Sequence, residues 1–151
     1  MNRLKSMSKG LLAGTSLAAG LLLMQPGVAG ARGIQMSDLQ GSWQVTLAGQ
    51  TGCGLETMQA NFSLDKTGNA NNSMTLIGHG QCGDSTTPRL QFVINTLNSD
   101  GSGTASLYCA YDTSVCGWNL NIQVTPDRNS FNAVDVVNTA NYVSGTGIRQ
   151  Q

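Results

Sequence analysis

From Arg32 onward, apolar side chains recur at every second position, and no window carries them at helical spacing. Trp43, Val45 and Leu47 form one such row, and Met58, Ala60, Phe62 and Leu64 a second. Leu90, Phe92 and Ile94 form a third, and Ala105, Leu107, Cys109 and Tyr111 a fourth. The clearest row is Cys116, Trp118, Leu120, Ile122 and Val124, interleaved with Asn119, Asn121 and Gln123. Successive side chains of a strand point to opposite faces, so each row predicts a half-buried strand. Weaker alternation marks 73–79, 131–138 and 142–149, which brings the total to eight. Gly, Asn, Ser and Thr interrupt every stretch long enough for a helix, and these residues favour turns and caps over helix interiors. One helical turn is expected, at Met36–Gln40, with Ser37 as its N-cap.

Turn-forming clusters separate the rows at Gly49–Gly54, Asp65–Asn72, Gly80–Thr87, Asn98–Gly103, Pro126–Ser130 and Asn138–Asn141. Connections this short join neighbours that pair antiparallel. The polar positions are unusual in being uncharged, since Asn, Gln, Ser and Thr outnumber charged residues by more than three to one. An open sheet with so little charge on its edge strands would invite pairing between molecules. Closing the sheet on itself removes the edge. The fold expected is therefore all-β, an eight-stranded antiparallel up-and-down barrel with a short N-terminal helical turn. The hairpin around Ala110–Val115 carries its own register: with Leu107 opposite Trp118 and Ala105 opposite Leu120, all the apolar partners share one face, and a slip of one residue would invert them. The segment Phe131–Val137 admits two phases. The phase expected turns Val134 and Val136 inward and Asp135 to solvent, because a buried carboxylate needs a partner.

Residues 1–31 read as a secretory signal peptide. Arg3, Lys5 and Lys9 precede the apolar run Leu11–Met24, and Ala29 and Ala31 suit cleavage before Arg32. The run is too short and too rich in Gly and Ser for a membrane span. The single domain expected is 32–151, with a periplasmic or secreted location. It keeps five cations (Arg32, Lys66, Arg89, Arg128 and Arg149) and all eight acids of the chain. That balance excludes a basic surface for nucleic acid. Export permits disulfides, and the four cysteines are Cys53, Cys82, Cys109 and Cys116. The hairpin register places Cys109 opposite Cys116, which leaves Cys53 with Cys82; closing that loop is worth about 3 kcal/mol on the chain-entropy model.

The motif Asp38-Leu39-Gln40-Gly41-Ser42-Trp43, a short turn and then Gly-x-Trp opening the first strand, resembles the start of calycin barrels, the superfamily of lipocalins and small bacterial relatives. That resemblance implies that an Arg after the last strand packs across the Trp and closes one end, and Arg149 is the residue here in position to pair with Trp43. The layout is similar, further, to the small periplasmic inhibitors of secreted metalloproteases, which carry a Leu-x-Gly-x-Trp start and one Cys after each of strands one and three. Leu39–Trp43, Cys53 and Cys82 match it, while a second cysteine pair and a short N-terminal segment depart from it.

Catalytic chemistry finds little support. His79 is the only histidine, no Gly-x-Ser-x-Gly elbow is present, and no glycine loop leads from a strand into a helix. Asn98–Gly103 looks like a calcium loop but reaches Cys109 where a bidentate Glu is required. His79-x-x-Cys82 could join the other thiols in a copper or zinc site only if those thiols were reduced. The expectation is a non-enzymatic binding protein without a cofactor. It would take a small apolar ligand at the barrel mouth, against Met58, Phe62, Met74, Phe92, Tyr111 and Trp118. The alternatives are a protein-binding inhibitor of a secreted protease and the soft-metal rim.

Overall fold

The computed structural model describes residues 32–52, 54–70, 74–109, 117–136 and 141–151, with Cys109 described by its backbone alone. A 3-10 turn, η1 (Met36–Leu39), precedes β1 (Gly41–Thr51), β2 (Gly54–Leu64), β3 (Met74–Gly80) and β4 (Gly83–Leu97). They are followed by β5 (Ser102–Cys109), β6 (Gly117–Val124), β7 (Ser130–Asp135) and β8 (Tyr142–Arg149). Each strand pairs antiparallel with the next, and β8 pairs back onto β1 from Trp43↔Arg149 to Gln50↔Tyr142. The sheet is a closed barrel in the order β1-β2-β3-β4-β5-β6-β7-β8, the fold class the alternation predicts.

The register of the central hairpin follows its apolar rows. Leu107 faces Trp118 and Ala105 faces Leu120, and the ladder continues to Tyr108↔Gly117. Inward rows supply the core: Trp43, Val45, Leu47, Met58, Ala60, Leu76, Leu90, Leu107, Leu120, Ile122 and Val143 are all buried. The outward rows are mostly polar, with Leu55, Ile77, Val134, Tyr142 and Ile148 as exposed apolar exceptions, and their polar groups bond across strands. Asn95 Nδ2 donates to Ser106 Oγ at 2.8 Å, Ser106 Oγ donates to Asn119 Oδ1 at 3.2 Å, and the hydroxyls of Thr96 and Thr104 lie 2.8 Å apart. Among the described residues no helix is long and apolar enough to cross a membrane.

Three expectations require correction. The turn clusters at Gly49–Gly54 and Gly80–Thr87 are mostly strand. β1 runs on to Thr51, and β4 begins at Gly83, so that Gln81 and Cys82 alone connect β3 to β4. Pairing to β3 fixes Gly83–Thr87 although it has no apolar alternation. An extra residue of β4 is taken up where Leu76↔Thr87 gives way to Met74↔Leu90, which brackets Pro88 and the positive-φ Arg89 (φ 61). A bulge frees Pro88 from donating an N–H to the ladder. Second, Ser37 does not cap the turn: Gln35 is the N-cap, and the Asp38 carboxylate accepts its backbone N–H at 2.9 Å. Third, β7 takes the other phase. Phe131 and Ala133 are buried, Val134 is 54% exposed, and Asp135 lies opposite the inward Leu120. This phase lets the Phe131 ring join Trp43 and Phe92 in the core, and Asp135 sits at the strand end, where an inward carboxylate still reaches the rim.

Candidate functional site

The two ends of the barrel are built differently. At the end where the chain enters β1, four aromatic rings form a continuous stack. Trp43 lies 5.3 Å from Phe131, Phe131 5.9 Å from Phe92, and Phe92 4.9 Å from Phe62, centroid to centroid. Phe131 lies over its cross-strand partner Gly147, where an added Cβ would come within 2.2 Å of the ring. Beneath the stack, the segment Arg32–Gln40 folds across the opening and buries Ile34 and Leu39. Trp43 Nε1 donates to the Leu39 carbonyl at 2.8 Å, and Ile34 N donates to Ser99 O at 2.9 Å. The Arg149 guanidinium sits 5.2 Å over the Trp43 ring and donates to the Asp38 carbonyl. The Asp38 carboxylate bonds Arg32 and lies 3.2 Å from Arg128 Nε, while Arg128 Nη2 donates to Arg32 O at 2.8 Å. The N–H of Gln35, with these cations, holds the Asp38 carboxyl below its ordinary range. Three more aspartates order the turns at this end. Asp65 accepts from Thr67, Asp100 from Ser102 and Asp127 from Thr125, and those hydroxyls lower each carboxyl in turn. This end is closed.

At the opposite end β1 gives way to β2 and β3 turns into β4, and β5 and β7 end beside the starts of β6 and β8. Along the inward face of the strands that reach it, the apolar rows give way to polar groups. Glu56 continues the inward row of Met58 and Ala60. Its Oε2 accepts from Thr51 Oγ1 at 3.0 Å and its Oε1 from Ser85 Oγ at 2.8 Å. The side chain lies over Gly78, where a Cβ would come within 2.0 Å of Oε1, and beside Gly80, where a Cβ would come within 3.1 Å of the Glu56 stem. Asp135 ends the inward row of β7. Trp118, inward on β6 opposite Leu107, packs against the core but is only partly buried.

The residues expected to line a ligand site divide between these regions. Met58 is buried one inward step below Glu56, and Trp118 stands at the mouth. Phe62 and Phe92 belong to the aromatic stack. Phe62 and Met74 also border a shallow cleft of about 450 Å³ on the flank of the wall, where β2 beyond Gln59 no longer pairs with β3. Tyr111 lies outside the described residues, as do Cys53 and Cys116. Cys82 occupies the exposed β3–β4 turn. His79 points outward, its Nδ1 2.7 Å from Asp84 Oδ1, with both side chains exposed to solvent. Among the described residues no three Cys, His, Asp or Glu side chains come together as a metal site. Sequence reasoning missed Glu56, whose signal was its spacing of two from Met58. No family model matches the chain, and no curated protein matches it.

Proposed function

We propose that the chain is exported, is cleaved before Arg32, and acts as a non-enzymatic, calycin-like barrel that binds a small apolar ligand at its mouth. The observation that carries this reading is Trp118. Among the described inward-facing aromatic side chains it alone is only partly buried, and it stands at the end away from the aromatic stack. An aromatic ring above an apolar floor is how small-molecule sites are commonly lined. Opposite it, the closed end leaves the mouth as the way in. Two disulfides belong to the same proposal. The ladder through Tyr108↔Gly117 supports Cys109–Cys116. The approach of Gln81 to Gly54, where a Cβ would come within 2.2 Å of Gln81 Oε1, supports Cys53–Cys82 by bringing the two turns together. The inhibitor reading gains nothing from the N-terminal segment, which is folded onto the barrel through Ile34 and Leu39.

The test is a titration with octanol, a neutral amphiphile, followed by calorimetry and tryptophan fluorescence. A saturable response is expected, with the fluorescence change absent in Trp118→Phe, where Trp43 alone reports. No saturable heat and no fluorescence change in the wild-type protein would overturn the reading.

A further inference from the structure

The chemistry at the mouth narrows the class of ligand, an inference that rests on the mouth being the binding site. Glu56 is an ionisable side chain placed on the inward face of a barrel whose deeper inward rows are apolar. The wall is shaped around it. Gly78 and Gly80 contribute no side chains where the carboxylate and its stem lie, and a Cβ at Gly78 would meet Oε1 at 2.0 Å. The hydroxyls of Thr51 and Ser85 hold one oxygen each, at 3.0 and 2.8 Å. A carboxylate offers about four lone-pair sites, so this fixes its orientation and leaves it able to accept further donors.

The charge of the whole domain runs the same way. At the closed end Arg32, Lys66, Arg128 and Arg149 stand against Asp38, Asp65, Asp100 and Asp127, one cation for each acid. Those four aspartates are engaged with turn N–H groups, hydroxyls and arginines. Of the described charges on the other half, Glu56, Asp84 and Asp135 stand against the cation Arg89, with the exposed Asp84 held 2.7 Å from His79 Nδ1. The excess negative charge therefore lies on the half that carries the mouth, where it draws cations toward it.

We infer that the ligand is an amphipathic organic cation, a primary amine on an apolar body, whose ammonium is received by Glu56 while its apolar part packs toward Met58 and Trp118. An ammonium has three donors and no acceptor, which suits a carboxylate whose own acceptors are already oriented. A carboxylate ligand would be repelled.

Octylamine, octanol and octanoate share one apolar chain and differ in the head group, so calorimetry at neutral pH and low salt isolates the head-group preference. Octylamine should bind about tenfold or more tightly than octanol, and octanoate more weakly than either. Added salt should reduce the amine's advantage and leave octanol unchanged. Glu56→Gln keeps shape and volume and should bring octylamine down to the level of octanol. Gly78→Ala, which displaces the carboxylate without removing it, should do the same while octanol still binds. Octanol binding with no preference for octylamine would overturn the cation inference and leave the apolar site standing. A preference that survives both variants would remove Glu56 from the role. Binding of none of the three would overturn the mouth as a site altogether.

Discussion

Leu39 offers the sharpest test of how the barrel is closed. Its side chain is fully buried at the base of the aromatic stack, while its carbonyl accepts the Trp43 indole N–H. Leu39→Ala removes the apolar packing and leaves that backbone acceptor in place, so the measured loss reports burial and the void left behind. Replacements of this kind cost about 2–5 kcal/mol, the higher values applying where the surroundings cannot collapse into the space. Trp43 and its neighbours are held by strand ladders on both sides, so a loss of about 3 kcal/mol is expected. Against a total stability of roughly 5–15 kcal/mol for a domain of this size, that is a large fraction. With a urea slope of about 1.5 kcal/mol per molar, the unfolding midpoint should fall by about 2 M, with the slope unchanged. Ser37→Ala, two residues away on the exposed side of the same turn, should shift the stability by less than about 0.5 kcal/mol, because Ser37 caps nothing. The assay is equilibrium urea unfolding of the chain from Arg32 onward, followed by circular dichroism and tryptophan fluorescence. A Leu39→Ala loss below about 1 kcal/mol would show that Arg32–Gln40 rests on the barrel without closing it. A Ser37→Ala loss as large as that of Leu39→Ala would refute the assignment of Gln35 as the cap.

Two further outcomes follow from the closed end. Asp38, Asp65, Asp100 and Asp127 are held below the ordinary carboxyl value of 3.8, so their contribution is complete above that value and is lost as pH falls through their lower folded values. The urea midpoint should be flat between about pH 7 and 5 and drop below about pH 4, and Asp65→Asn should flatten part of that drop; a midpoint unchanged down to about pH 2.5 would refute the linkage. Gly147→Ala should destabilise by about 1–3 kcal/mol, because its Cβ would come within 2.2 Å of the Phe131 ring. Most of that loss should vanish in the Phe131→Leu background, and additive losses in the double-mutant cycle would show that the ring is not what the glycine accommodates.

The parts of the fold that were legible in the sequence are those where inward means apolar. β6 alternates Leu120, Ile122 and Val124 against Asn119, Asn121 and Gln123, and the apolar rows that set Trp118 opposite Leu107 specify its register. The closure of the sheet follows from the shortage of charge on its edges, while the approach of Arg149 to Trp43 is what the calycin resemblance implies, and β8 running antiparallel beside β1 allows it. The aromatic stack was not legible as a stack. Phe62, Phe92 and Phe131 lie on three strands far apart in sequence, and their meeting depends on the tilt and stagger of the strands, which no single row encodes.

What the sequence concealed lies largely in one place, and for one physical reason. Gly49–Thr51, Gly54 and Gly83–Thr87 read as turns because they lack apolar alternation, yet all are strand. Their inward positions are Gly, Thr and Ser because they approach the mouth, where the interior meets solvent and apolar side chains would be exposed. The same reversal misphased β7, since an acid at the end of an inward row looks misplaced unless that end is open. A barrel sealed at both ends would have carried its apolar rows through to each rim. The failure of alternation at one end, and its persistence down to Trp43 and Phe131 at the other, is thus itself a signal of which end of the interior meets solvent. Glu56 is where that signal is strongest, a carboxylate on the same row and only two residues from a buried methionine.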